Sequence, residues 1–388
     1  MRTVRILGAE TIMAPSYDES LLWASLTLLG LGLVMVYSAS AATAAASSAQ
    51  GYNSYYYLIR QLIYIMVALS FSVLAFKCPI DWWQKMAPYL FLLGLLLLVL
   101  VLIPGIGHVA GGGRRWLTLL VVNLQPSELV KLFTALYVAD YTVRKAKKMQ
   151  SIRHGFLPVG AVIFLVSALL MLEPDFGAFL VIALIALGIL WVGGINEKIF
   201  VGLIGVILIS ALVLVVLSPY RMERVTGFIN PWADPYGKGY QLTHALIAFG
   251  RGGWLGVGMG ASVEKLLYLP EAHTDFLLAI IAEELGFLGV ATVIALFTWI
   301  VWRAFSIAQE AMGHERYFAS LLAQGLGIWL GVQGMLNMGV NMGLLPTKGL
   351  TLPLLSFGGS SIVANCVALA ILLRIDSENR CLNKGGVL

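Results

Sequence analysis

Leu90-Phe91-Leu92-Leu93-Gly94-Leu95-Leu96-Leu97-Leu98-Val99-Leu100-Val101-Leu102-Ile103 is the stretch that decides the fold. A helix apolar on every side belongs either in the core of a large protein or in a membrane. With its flanks it makes a run near 87–104, close to the ~20 residues that cross a hydrocarbon core. Comparable runs lie near 21–40, 57–77, 128–143, 157–173, 176–194, 199–218, 276–302, 317–337 and 356–374. The expected fold is an all-α integral membrane protein with ten transmembrane helices and both termini on the same side.

Composition agrees. Of 388 residues, 59% are hydrophobic and 12% charged, against about 25% charged in soluble domains. The formal net charge of +5 comes from basic residues in short inter-helix loops. Orientation in the bilayer explains them better than nucleic acid does. The loop after the fourth run holds Arg144, Lys145, Lys147, Lys148 and Arg153, so it belongs in the cytoplasm with both termini. Cys78, Cys366 and Cys381 are too few for a disulfide framework and lie outside the outer loops, so free thiols are expected. The run 21–37, with Ala39-Ser40-Ala41 behind it, mimics a secretory signal. It exceeds a usual signal core and further spans follow, which predicts an uncleaved first helix.

Two outer segments interrupt the apolar pattern. One covers 105–125 and contains Gly111-Gly112-Gly113-Arg114-Arg115-Trp116. The other, 219–275, mixes five basic and five acidic side chains with nine glycines, too many for a solvated linker of no purpose. Its tracts 240–249 and 263–268 are amphipathic and predict short helices in the interface. The domain reading is one polytopic membrane domain over 1–388, with tails at 1–20 and 375–388 around a core at 21–374.

Ionisable groups at membrane depth cost roughly 2.5–3.5 kcal/mol each, so they need partners or a wet cavity. Glu128 and Lys131, three apart on one helix, make either a structural ion pair or one wall of an anionic cavity. Glu173-Pro174-Asp175 breaks the chain between two runs, and Asp175 points at the helix that follows. Asp140 with Arg144 reads as a solvated pair. Asp275 stands where an N-cap belongs. Capping alone leaves unexplained why Glu271, His273 and Asp275 lie on the same side as Arg221, Arg224, Arg251 and Lys348. A carboxylate there is suited to take a proton from a hydroxyl. His273 offers a second proton carrier, a phosphate donor, or only local hydrogen bonding. Of Glu283 and Glu284, one is expected to face the cavity and the other a neighbouring helix.

Other patterns carry less. Gly256-Val257-Gly258-Met259-Gly260 lacks the strand and helix of a dinucleotide loop, and Pro346-Thr347-Lys348-Gly349 is no nucleotide phosphate loop. No HExxH or paired CxxC predicts a zinc site. Gly327 and Gly331, and Gly358-Gly359-Ser360-Ser361, allow close helix packing. Without a nucleotide fold, the energy of any reaction must come with the substrate.

Several motifs together resemble one family. They are Gln125-Pro126-Ser127-Glu128, Glu173-Pro174-Asp175-Phe176-Gly177, Asn230-Pro231-Trp232, Gly239-Tyr240-Gln241, Gly250-Arg251-Gly252 and Pro270-Glu271-Ala272-His273-Thr274-Asp275-Phe276. Leu345-Pro346-Thr347-Lys348-Gly349-Leu350 and Ser356-Phe357-Gly358-Gly359-Ser360 complete the set. The chain from 21 to 374 thereby resembles the shape, elongation, division and sporulation (SEDS) family. Gly239-Tyr240-Gln241-Leu242 and Pro353-Leu354-Leu355-Ser356-Phe357 look more like its division branch than its elongation branch. Glu173 departs from the Gln that many members carry before Pro-Asp.

The resemblance implies a peptidoglycan glycosyltransferase of the bacterial cytoplasmic (inner) membrane that polymerises lipid II at the division septum. It implies Asp275 as the essential catalytic residue, with Lys131 and Lys348 lining a central cavity. Implied partners are a class B penicillin-binding protein of FtsI type and the division proteins FtsQ, FtsL and FtsB. A polyprenyl pyrophosphate leaving group would draw on Arg, Lys or a divalent cation, Mg or Mn, and no nucleotide is expected. The competing readings are a transporter that flips lipid-linked precursor and a scaffold that only recruits partners. No inverted pair of interrupted helices is visible to favour transport.

Overall fold

A computed structural model describes residues 4–6, 9–11, 17–110, 113–119 and 122–386. Every one of the ten apolar runs falls on a helix, and local chemistry sets where each begins. A small antiparallel hairpin, β1 (Val4–Ile6) with β2 (Ala9–Thr11), comes first. α1 (Glu19–Ala46) starts where Asp18 accepts from the Ser20 and Leu21 amides at 2.9 and 3.2 Å. α2 (Tyr56–Lys77) and α3 (Ile80–Leu102) follow. α4 (Pro126–Arg144) opens on a proline, which has no amide to orphan. α5 (Leu157–Leu172) leads to α6 (Phe176–Val192), capped by Asp175, and α7 (Glu197–Val216), capped by Asn196. α8 (Pro219–Ile229) and α9 (Tyr240–Gly252) occupy the long outer segment. α10 (Leu277–Gly313), α11 (Tyr317–Asn341) and α12 (Gly359–Asn383) complete the chain.

Among the described residues, seven helices are long and apolar enough to cross a bilayer, which makes this a multi-pass membrane protein. They are α1, α2, α3, the segment Ile152–Leu172 that includes α5, α10, α11 and α12. In their most apolar stretches α12 is 89% buried and α11 72%, whereas α2 and α3 are 22% and 28%. The first pair is therefore interior and the second faces lipid. α11 packs on α10, α6 and α4, and α12 on α2, α10 and α4. The small residues of α11 serve this interior role: Gly327 lies against Ala304, Gly331 against Val301 and Gly334 against Phe297.

The outer segments depart from expectation. Three antiparallel strands pair in the order β3 (Gly107–Ala110), β4 (Gly113–Leu119), β5 (Val122–Leu124); Gly111, Gly112, Leu120 and Val121 lie outside the described residues. The helix expected over 240–249 is α9, but 263–268 is bend and turn, because Leu267 takes a left-handed φ of 70° that no right-handed helix contains. α8 was not expected. The tail expected from 375 is the end of α12, where Glu378 binds Arg374 and Arg316 and Asn379 binds the Ile307 carbonyl.

The largest difference lies within α10, where Gly286 has φ 67° and ψ −163° and interrupts the helix. The loop after α9 enters the break. Val257 and Gly258 donate to the carbonyls of Glu283 and Glu284 at 2.9 and 3.1 Å. Phe287 and Leu288 donate to those of Gly253 and Trp254 at 2.9 and 3.2 Å. Main-chain groups freed by the break are thus satisfied by protein, as the interior of a membrane requires. A Cβ on Gly286 would collide with the Gly256 amide, and one on Gly256 with the Glu284 carbonyl. Gly286→Ala should therefore cost about 2 kcal/mol or more of stability. A lowered thermal midpoint in detergent is the expected reading, and an unchanged midpoint would contradict the wedge.

Candidate active site

Asp275 lies one residue ahead of the N-cap of α10, which is Phe276, so it does not hold the capping position expected for it. The Phe276 amide closes the preceding turn on the Glu271 carbonyl, which keeps Asp275 within that turn, and the first turn of α10 is served from α11, where Asn341 Oδ1 binds the Ala279 amide at 3.1 Å. Asn337 and Asn341 each donate an Nδ2 proton to the Asp275 carbonyl at 2.9 Å. The turn before it closes on Glu271, whose carbonyl accepts from the amides of Thr274, Asp275 and Phe276. Asp275 is half-buried. Its Oδ2 lies 3.2 Å from where a Cβ on Gly349 would stand. Only glycine lets the 345–351 loop come this close to the carboxylate.

That loop carries Lys348, whose Nζ stands 4.4 Å from the centroid of the Phe176 ring. Burial holds its ammonium below the ordinary lysine range, at about 8. Phe176 opens α6, and the next residue, Gly177, packs against Leu350. Asp175 caps α6 through the Ala178 amide at 3.0 Å and accepts from Ser127 Oγ at 3.1 Å. The starts of α4 and α6 are thereby tied together beneath the Lys348 loop. Asp275, Lys348 and Asp175 are the sequence candidates that the fold brings to one place.

Lys131 is fully buried on α4, with Nζ 2.7 Å from Glu128 Oε1 and 2.8 Å from Gln333 Oε1. The ion-pair alternative is present in the fold. Glu128 Oε2 has no hydrogen-bond partner, which leaves one polar atom of that pair facing inward unsatisfied.

Four other candidates point elsewhere. Arg251 pairs with Glu283 at 2.9 Å, in a cluster with Ser262 and not with Asp275. Glu284 pairs with Lys265 at 2.7 Å and with Ser38, so both glutamates of α10 are engaged by the outer segment and neither faces a cavity. Glu271 is exposed and accepts from Thr274 Oγ1 at 2.8 Å. His273 is buried, its ring 4.4 Å from that of Tyr57, and burial lowers its pKa against the opposing pull of Glu271. Neutral imidazole among rings is a packing group here, and its carbonyl holds the Phe357 amide at 3.0 Å. Arg221 and Arg224 fall on α8, and their side chains lie outside the described residues. The Asp140–Arg144 pair is present at 2.7 Å, but Asp140 is buried and only Arg144 is solvated.

The residues that sequence reading missed are Gln333, Asn337 and Asn341. All three are buried on α11, at every fourth position and hence on one face. Amides repeating at that interval in an apolar helix were the signal. The three cysteines are free thiols, as expected. Among the described residues no group of three or more His, Cys, Asp or Glu gathers to hold a metal.

Glu173, between α5 and α6, is fully buried and neither carboxyl oxygen has a hydrogen-bond partner. Arg115 binds the main-chain oxygens of Glu173 and Pro174, at 3.0 and 2.6 Å, and leaves the carboxyl alone. Burial first, then Asp175, push its pKa up to about 8. Between its unfolded value of 4.5 and 8, the folded state keeps a proton that the unfolded state has lost. Stability therefore falls as pH rises through that window. Glu173→Gln should raise stability by roughly 1–3 kcal/mol at pH 7 and much less at pH 4.5. Equal thermal midpoints for variant and wild type at both pH values would contradict this.

A model of the cell cycle protein family FtsW/RodA/SpoVE matches residues 19–381. A protein of Aromatoleum aromaticum named probable peptidoglycan glycosyltransferase FtsW is 61% identical, covering 95% of this chain and 90% of its own. A protein of the same name from Burkholderia thailandensis is 56% identical, covering 95% and 80%. Among solved structures, a chain from a peptidoglycan synthase complex that coordinates polymerization and crosslinking is similar with TM-score 0.74 at 28% identity, covering 94% and 98%. The rod shape determining protein RodA of Thermus thermophilus is similar with TM-score 0.65 at 26% identity, covering 94% and 97%. With its buried ion pair on α4 and a carboxylate set before a broken α10, the chain belongs to the FtsW/RodA/SpoVE family of cell cycle proteins.

Proposed function

We propose that this chain is a peptidoglycan glycosyltransferase that polymerises lipid II for septal wall synthesis, with Asp275 as general base. The observation that carries the reading is the half-buried Asp275 carboxylate, fixed through its main chain and lying against Gly349 beside Lys348. A sugar hydroxyl is a poor nucleophile until its proton is taken, and Asp275 takes it as the oxygen attacks the anomeric carbon. The bond to polyprenyl pyrophosphate breaks on the opposite face, so the configuration inverts. Lys348 offsets the charge that grows on the leaving pyrophosphate. A divalent cation, Mg or Mn, would be held chiefly by pyrophosphate oxygens and would offset their negative charge. Glu128, Lys131 and Asp175 hold the floor of the site. Ten spans with both termini in the cytoplasm put Asp275 and Lys348 at the outer rim of the inner membrane, where sugars meet tails.

The partner we propose is a class B penicillin-binding protein of FtsI type, recruited with FtsQ, FtsL and FtsB at the septum. The outward face of α10, with Trp299 and Trp302 exposed and their rings tilted against each other 4.9 Å apart, is better suited to that contact than the interior α11.

The flippase reading has one observation in its favour, the break in α10, since discontinuous helices mark many transporters. There the half-helix ends bind substrate, however, and here the 253–258 loop occupies them. Lipid II supplied in detergent, with the partner penicillin-binding protein present, separates the readings. Wild type should make glycan polymer and Asp275→Ala should make at least about a hundredfold less. Polymer from neither would point to transport or scaffolding, and polymer from both would place the base elsewhere.

Lys348→Ala should lower polymerisation about ten- to hundredfold without lowering the amount of folded protein. Because Lys348 is a cation only below about 8, the wild-type rate should fall as pH rises through that value. Glu173→Gln should keep that alkaline loss and Lys348→Ala should lack it. An alkaline limb that survives in Lys348→Ala would remove Lys348 from the site.

A further inference from the structure

We infer that Asn337 and Asn341 of α11 are positioning residues for this reaction: they set the Asp275 carboxylate against the Lys348 loop by gripping main chain. The inference rests on the reading of Asp275 as base. Trp329, Gln333, Asn337 and Asn341 recur at every fourth residue and form a polar stripe down the buried face of α11. At the top of the stripe, two Nδ2 groups converge on one carbonyl, that of Asp275, both at 2.9 Å. A carbonyl oxygen has two lone pairs, so both are engaged and the peptide plane cannot rotate. That plane, together with the Asp275 amide held on the Glu271 carbonyl, fixes the Cα–Cβ bond from which the carboxylate projects.

The second proton of Asn337 Nδ2 goes to the Leu350 carbonyl at 2.5 Å. One amide group therefore spans the segment that carries the base and the segment that carries Lys348, and fixes their separation. Asn341 adds a third hold, because its Oδ1 takes the Ala279 amide in the first turn of α10. Its own Nδ2 also reaches the Asn337 carbonyl at 2.9 Å, so the two asparagines brace one another. Lower on the stripe, Gln333 donates to the Thr351 carbonyl at 3.0 Å and accepts from Lys131 and Trp329, both at 2.8 Å. The buried ion pair of α4 and the base ahead of α10 are thus referenced to the same helix face. A shift of about 1 Å at a reacting group is enough for a hundredfold loss of rate.

The test compares wild type, Asp275→Ala, Asn337→Leu and Asn341→Ser in lipid II polymerisation with the partner penicillin-binding protein present. Leucine keeps the branched outline of asparagine and removes both donors; serine shortens the second arm and is the milder change. Size-exclusion elution and thermal midpoint report folding, and Asn341→Ser is the deciding variant if Asn337→Leu aggregates. The expected result is a kcat lowered about tenfold or more in each folded variant, with KM for lipid II within about twofold of wild type. A wild-type kcat in folded asparagine variants, or a raised KM with kcat kept, would overturn the inference. Activity in Asp275→Ala would overturn the base assignment instead, so the two failures are distinct.

Discussion

A polar group carried into a membrane protein must find its partner within the protein, and that constraint orders this molecule. Glu128 answers Lys131, Arg251 answers Glu283, and Lys265 answers Glu284. The interrupted α10 obeys it at the level of main chain, for the 253–258 loop donates to the carbonyls and accepts from the amides that the break leaves open. Because these partners come from distant parts of the sequence, satisfying them also fixes tertiary positions. The outer segment is anchored to α10 by two glutamates, and α10 is held at its start by two asparagines of α11.

The two lysines of the site divide along the same line. Lys131 is fully buried and compensated at 2.7 Å by a carboxylate, so its charge is committed to the fold. Lys348 is half-buried and leans on an aromatic face, with burial lowering its pKa to about 8. A cation so placed gains from an incoming pyrophosphate, whose negative charge favours the protonated amine. Asp275 differs from both, because two asparagines of α11 hold it through its main-chain carbonyl.

Much of this was legible in the sequence because the signals are local. Each of the ten apolar runs falls on a helix, and Asp175, at the Glu173-Pro174-Asp175 break, caps α6. Asp275 and Lys348 were singled out from motifs that sit on adjacent loops in space. Where partners are remote, reading failed. Asp275 as an N-cap was a sound local inference, but the N-cap is Phe276, and Asp275 is held through its carbonyl by Asn341, sixty-six residues away on a different helix. The expected convergence of Arg251 and His273 on Asp275 gave way to a glutamate and a tyrosine that no spacing reveals. Gly286 breaks α10 where a loop remote in sequence enters, and nothing local announces it. The repeating amides of α11 were visible but carried no partner in one dimension.

The central claim is that the Asp275 carboxylate serves chemistry and not the holding of substrate. Lipid II affinity of Asp275→Asn, which keeps the shape and removes the charge, tests it most directly when measured beside single-turnover product formation. The account requires a Kd within about threefold of wild type with no glycan bond formed. An affinity lost in proportion to the rate would contradict it, as would product formed at the wild-type rate.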